Sequence, residues 1–285
     1  MYSLAGNILT DCDLDRSYEI KQLPFKACFC KYGEGVVFSG GVRGSNACAG
    51  IYYWSKGNLQ EIGSMIDSRV HHSQVSFGNE LYLIGGSNYS NVQMSKCEVF
   101  NLDTLESQKI EPLTVSRSHH TSCVVNKGIY VFFGELSSRS QSVEVYSIEK
   151  QSWSTLAIKI PGVKGALSIP LNSRYILLVG GWINRKKNFN SWVLDTCKNT
   201  KFSISKTFIA EIYQSYSVTD EIVKVCDSIG YKRLLYKEGV IWECIKTTGN
   251  SNWQRRNLAI LCYKAGKDPL KRLPLSLFRE LVLLL

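Results

Sequence analysis

The chain has 285 residues, 44% hydrophobic and 20% charged, a composition that excludes a disordered polypeptide and fits one folded body with a sizeable core. Lys and Arg number 34 against 24 Asp and Glu, a formal charge of +10 scattered in small clusters. A nucleic-acid surface carries denser basic stripes with interleaved aromatics, so nucleic acid is not expected as a partner. No window of about eighteen apolar residues exists to cross a membrane.

In chain order, residues 8–15 and 18–20 read as two outer strands within an opening segment, 1–23. An apolar run ending in glycine then returns four times: Val36-Val37-Phe38-Ser39-Gly40-Gly41, Leu81-Tyr82-Leu83-Ile84-Gly85-Gly86, Ile129-Tyr130-Val131-Phe132-Phe133-Gly134 and Ile176-Leu177-Leu178-Val179-Gly180-Gly181. Taking the first glycine of each, at 40, 85, 134 and 180, the steps are 45, 49 and 46 residues, a period that marks one supersecondary unit repeated. The runs have the β-branched and aromatic content of buried strands, and the glycines supply turns or close packing. Two of them are preceded by Arg69-Val70-His71-His72 and Arg117-Ser118-His119-His120, 48 residues apart. Strand-like segments follow at 97–103, 143–148 and 191–195, and the third unit then reaches Trp153. The units are assigned as 24–69, 70–117, 118–162 and 163–210, with a degenerate last unit at 211–253 and a helical tail at 254–285.

This order of Arg/His lead-in, apolar run with Gly-Gly, loop, Val-x-x-Tyr-like strand and Trp resembles the kelch repeat, clearly so over residues 20–200. The resemblance implies an all-β, kelch-type β-propeller of about five blades, with six as the alternative, closed by pairing of the two chain ends. It assigns Gly40, Gly41, Gly85, Gly86, Gly134, Gly180 and Gly181 to structural roles. Arg69, His72, Arg117, His120 and Trp153 form the repeat framework.

The four histidines are two adjacent pairs, and neighbours along a strand point to opposite faces, so at most one of each pair faces the axis. They are read as framework, with no metal and no cofactor expected. Ten cysteines include no CxxC and several lie in strand-like runs, which reads as buried reduced thiols in a cytoplasmic protein. No nucleophile-elbow, zinc-protease or phosphate-loop motif stands in a supporting context, so no enzyme and no small-molecule ligand is expected. The polar loops after the glycines gather on one rim of a propeller, where a rigid scaffold presents binding residues. Asn88, Tyr89, Arg139, Arg185, Lys186 and Lys187 are the candidates there for contacting a protein partner.

The tail has its own pattern. Leu258, Leu261 and Cys262 share one helix face, and Pro274 suits the first turn of a second helix carrying Leu277, Phe278 and Leu281. Leu273-Pro274 with these apolar positions resembles the opening helix of an F-box, and Leu258-x-x-Leu261-Cys262 before Leu273-Pro274 is similar to a SOCS box. Either resemblance implies an adaptor joining the propeller's substrate to the scaffold subunits of a cullin-RING ubiquitin ligase.

Overall fold

The computed structural model describes the backbone of residues 2–204, apart from 6, 12, 13, 15, 137–141, 159 and 189, and four further strands between 215 and 247. Every regular element among the described residues is a β-strand. They form six antiparallel blade sheets in chain order, all but the first four-stranded, with the strands of each in simple up-and-down sequence, and three short two-stranded ribbons beside them. The N-terminal blade comprises Tyr2–Ala5, Ile8–Asp11 and Arg16–Glu19. Blade 1 comprises Cys28–Tyr32, Gly35–Ser39, Gly50–Ser55 and Asn58–Ser64. Blade 2 is Ser73–Phe77, Glu80–Ile84, Cys97–Asn101 and Glu106–Ile110. Blade 3 is Thr121–Val125, Gly128–Phe132, Val143–Ser147 and Ser152–Leu156. Blade 4 is Leu167–Pro170, Tyr175–Val179, Ser191–Asp195 and Thr200–Ile204. The C-terminal blade is Ser215–Val218, Ile222–Cys226, Tyr231–Lys237 and Val240–Thr247.

The second strand of each central blade is the apolar run, and it is buried on both faces: all five residues of Gly35–Ser39 are enclosed. The fourth strands of blades 1 to 3 carry polar residues and lie partly exposed, as Glu106–Ile110 does. Each gap between central blades is filled by one apolar cluster. Val37, Ile51, Met65, Leu81, Leu83 and Phe100 join blades 1 and 2, while Val75, Tyr82, Ile84, Ile129, Val131 and Tyr146 join blades 2 and 3. Such sheet-on-sheet burial is the main favourable term holding the blades together.

The inner strands of blades 1 to 4 are neighbours in succession, Ser215–Val218 lies beside Leu167–Pro170, and Tyr2–Ala5 lies beside Ser215–Val218. The N-terminal blade in turn packs on blade 1 through Leu4, Leu9, Leu23, Phe38, Tyr52 and Trp54. These contacts close a ring of six sheets. The expected pairing of the two chain ends within one sheet is not what closes it. Tyr2–Ala5, Ile8–Asp11 and Arg16–Glu19 pair with one another, Ala5 opposite Ile8, and 215–247 supplies four strands of its own. The tail assigned to 254–285 lies outside the described residues.

Candidate functional site

Within each blade the first strand begins where the second ends, so the segments leading into the inner strands and the loops after the glycines open on the same face of the ring. Short pairings tie the two together. Phe25 bridges Val42 and Val70 bridges Ser87; Ser118 pairs with Glu135, and Lys164 bridges Trp182. This loop face is the candidate site.

Its foundation is the repeat framework. Arg69 and Arg117 are fully enclosed, each ion-paired to an enclosed carboxylate, Glu98 and Glu144, the latter pair at 2.6 Å. Burial pulls the Arg117 guanidinium below its usual pKa, partly offset by Glu144. Arg69 Nη1 also donates to the carbonyls of Gly85 at 3.0 Å and Lys96 at 2.8 Å. Arg117 Nη1 does the same to Phe133 at 3.3 Å and Ser142 at 3.2 Å. Each arginine thus ties together the two ends of its own blade's rim loop. The second carboxylate oxygen accepts from the segment arriving from the previous blade, Ile66 N and Thr114 N, both at 2.6 Å.

Blade 4 reaches the same end without ions. Val163 and Trp192 stand where blade 3 has Arg117 and Glu144: Gly134 N donates to Val163 O as Gly86 N does to Arg117 O, and Trp192 pairs with Leu178 as Glu144 does with Val131. The loop carbonyls of Gly180 and Asn190 are bridged instead by Asn188 Nδ2, at 2.8 Å each.

The glycine register needs one correction. Backbone φ is 62° and 93° at Gly40-Gly41 and 56° and 101° at Gly85-Gly86, but the matching pair in blade 3 is Phe133-Gly134, at 64° and 97°. Gly134 is therefore the second residue of its turn. A side chain at Gly85 would meet Arg117 O at 2.8 Å and His120 Cε1 at 2.9 Å. Facing Phe133, the next lead-in carries Val163 and Ala166 in place of the arginine and histidine, and the ring packs 5.7 Å from Trp192. The small Ala166 makes room for the large Phe133, which offsets the cost of its left-handed backbone. Gly180-Gly181 keep the same geometry at 73° and 81°.

His72 and His120 are buried. His72 Nε2 meets Ser39 Oγ of the preceding blade at 2.7 Å, whereas neither ring nitrogen of His120 has a side-chain hydrogen-bond partner among the described residues. Burial holds both neutral, His72 well below its usual pKa and His120 down to about 3. Trp153 lies at the blade 2–3 boundary, its Nε1 donating to Glu111 O at 2.7 Å and its ring 5.1 Å from Tyr146.

The other two histidines, read from the sequence as framework like their neighbours, behave differently. Lys26, His71, His119 and Gly165 occupy the same corner in four successive blades, all left-handed with φ of 59°, 53°, 55° and 64°. His119 N donates to His71 O, and Gly165 N to His119 O, both at 2.9 Å, so the corners are laced together at the mouth of the ring. The His71 and His119 rings stack at 3.8 Å. Glu135 reaches His119 Nδ1 at 3.8 Å and pairs with Lys164 at 2.7 Å. Burial, then His119 and Lys26, lower the His71 pKa to about 4; burial also lowers that of His119. The recurring Lys/His/His/Gly spacing was the available signal, visible only once the left-handed corner is known.

Of the loop candidates, Tyr89 is 52% exposed and Arg185, Lys186 and Lys187 are exposed on a short hairpin tip. Asn88 instead organises its own loop, its Oδ1 accepting from Val92 N at 3.0 Å. Phe25 and Val92, at 58% and 57% exposure, are apolar residues of the same face absent from the sequence-based set. Arg139 lies outside the described residues, as do Leu258, Leu261, Cys262, Leu273, Pro274, Leu277, Phe278 and Leu281. Among the described residues, no three His, Cys, Asp or Glu side chains are grouped so as to hold a metal.

Six radial antiparallel sheets with glycine turns and arginine-clasped rim loops define a β-propeller of the repeat class. The Kelch motif family matches residues 68–114 and 116–158, blades 2 and 3 with their lead-ins, so these two units are kelch motifs. The chain is 27% identical over 152 residues to beta-scruin of Limulus polyphemus, covering 50% of this chain and 16% of that protein. It is 23% identical over 138 residues to Kelch repeat and BTB domain-containing protein 2 of Ectromelia virus (strain Moscow), 48% and 24% of the two chains. Kelch-like protein 36 of Bos taurus is 30% identical over 103 residues, 33% and 17%. The matched stretch is thus a quarter or less of each of these relatives.

Proposed function

We propose that this propeller is a non-enzymatic protein-interaction module that binds a partner protein through its loop face. One observation carries the reading: arginine and asparagine clasps hold the rim loops rigid while leaving Phe25, Tyr89 and Val92 bare and Arg185–Lys187 projecting. Exposed aromatic and apolar side chains on rigid supports, beside cationic ones, are what a protein interface uses as anchors and steering charges. The relatives whose names carry kelch repeats alongside other domains fit a module that recruits rather than reacts.

A second reading rests on the leucine pattern of 258–281: the propeller gathers a substrate and the tail delivers it to ligase scaffold subunits. One experiment separates these roles. Affinity purification with mass spectrometry compares the full chain, a Tyr89→Ala/Val92→Ser/Lys186→Glu variant, and a chain ending at Asn252. Loss of partners in the rim variant supports the loop-face reading; cullin-type subunits lost on truncation alone support the tail reading. Partners unchanged in the rim variant overturn the first, and an unchanged set on truncation overturns the second.

A further inference from the structure

At the mouth of the ring, two lysines, Lys26 and Lys164, and two stacked histidines face a single carboxylate among the described residues, Glu135. That carboxylate is already engaged by Lys164 at 2.7 Å. Lys26 is exposed, with its Nζ 5.5 Å from the Phe25 ring centroid, and makes no ion pair among the described residues. His71 Nδ1 has no hydrogen-bond partner there either. The cluster is built from four blades, and inter-blade backbone bonds tie the His71, His119 and Gly165 corners, so the two imidazoles are pre-positioned, with Lys26 at the equivalent left-handed corner beside them.

We propose that this mouth seats one carboxylate side chain from an acidic segment of the partner, paired to Lys26 and taken up together with a proton on the His71–His119 pair. The proposal rests on the loop-face reading and specifies the partner's chemistry. A ligand carboxylate supplies the negative charge the cluster lacks, and an adjacent anion favours the protonated imidazole. The groups facing the pair set the sign: Lys26 opposes protonation of both rings and Lys164 that of His119, Glu135 at 3.8 Å is the largest charge favouring it at His119 and a smaller one at His71, and His119 opposes protonation of His71. With no ligand the pair is neutral at pH 7. An incoming carboxylate that raises one imidazole by about two pH units makes binding about fourfold tighter at pH 5.5 than at pH 7.5.

With four histidines in the chain, their ring Cε1–H signals are individually assignable by NMR. The probe is N-acetyl-glutamate N-methylamide, titrated into the full chain at pH 7.5 and 5.5, with the glutamine analogue as the uncharged control. Saturable shifts of His71 and His119, stronger at the lower pH and abolished by Lys26→Gln, are expected, while His72 and His120 stay still and report an intact fold. No saturable shift at either pH, or an equal response to the glutamine analogue, overturns the proposal. Partner loss in the rim variant alongside such a null result leaves the loop-face reading standing.

Discussion

Replacing Glu144 by leucine tests whether the buried ion pair of blade 3 is a stabiliser or a mutual dependency. Both side chains are fully enclosed, so removing the carboxylate strands the Arg117 guanidinium. Breaking a buried pair from one side costs about 3–5 kcal/mol. Arg117 keeps its bonds to Phe133 O, Ser142 O and Ser142 Oγ, at 3.3, 3.2 and 3.1 Å, which places the cost near the lower end. Thr114 loses two 2.6 Å bonds, from its amide and its hydroxyl, and a neutral hydrogen bond contributes about 1 kcal/mol. The expected loss for Glu144→Leu is therefore about 5 kcal/mol. Arg117→Met strands Glu144 in turn, at about 3 kcal/mol. The double variant buries no lone charge, so it should lose well under the sum of about 8 kcal/mol, with a coupling of about 3 kcal/mol or more. Urea unfolding followed by tryptophan fluorescence and far-UV circular dichroism measures all three against the parent. Additivity within about 0.5 kcal/mol, or a single-variant loss below about 1 kcal/mol, would refute the reasoning. Blade 4 already shows the apolar solution, with Val163 and Trp192 at these positions and Asn188 bridging the loop carbonyls.

Gly86→Ala should lower the melting temperature far more than Gly57→Ala. A Cβ at Gly86 meets both His72 Cβ and Val70 O at 2.8 Å, whereas at Gly57 nothing lies within 4 Å and only the left-handed backbone, about 1 kcal/mol, is penalised. Equal shifts in a thermal melt would sink the packing argument. His120 stays neutral in the folded protein down to about pH 3, while the unfolded chain takes up its proton near pH 6.5. Its contribution is thus fully present above pH 6.5 and falls away as pH drops towards 3, by up to about 1.4 kcal/mol per unit. The stability of His120→Gln, measured by urea titration from pH 7 to pH 4, should fall less steeply than the parent's. Parallel curves would show that His120 does not remain neutral.

Much of the architecture was legible along the chain because its determinants are local. An apolar run of five residues buried on both faces reads the same wherever it sits, and Gly40-Gly41 or Gly85-Gly86 mark a backbone conformation that a side chain resists. The Arg-x-His-His segments betrayed the framework by recurring at a fixed offset, and the two outer N-terminal strands were visible as strands. Phe133 was not legible as the first residue of its turn, because what permits it is the small Ala166 and the apolar Trp192 of the next blade, 33 and 59 residues away. The partner of a long-range compensation cannot be told from the sequence of either element alone.

The chain by itself thus determined the repeat, its strands and the side on which its loops fall, since each follows from periodicity and from backbone preferences of single residues. Tertiary structure alone decided that the ends close the ring as two separate sheets, of three and four strands, that Arg69 and Arg117 clasp the rim loops, and that His71 meets His119. Those outcomes depend on which blades become neighbours and on the burial that follows. Forty-eight residues separate the two histidines in the chain, and only the curvature of the ring brings their rings to 3.8 Å.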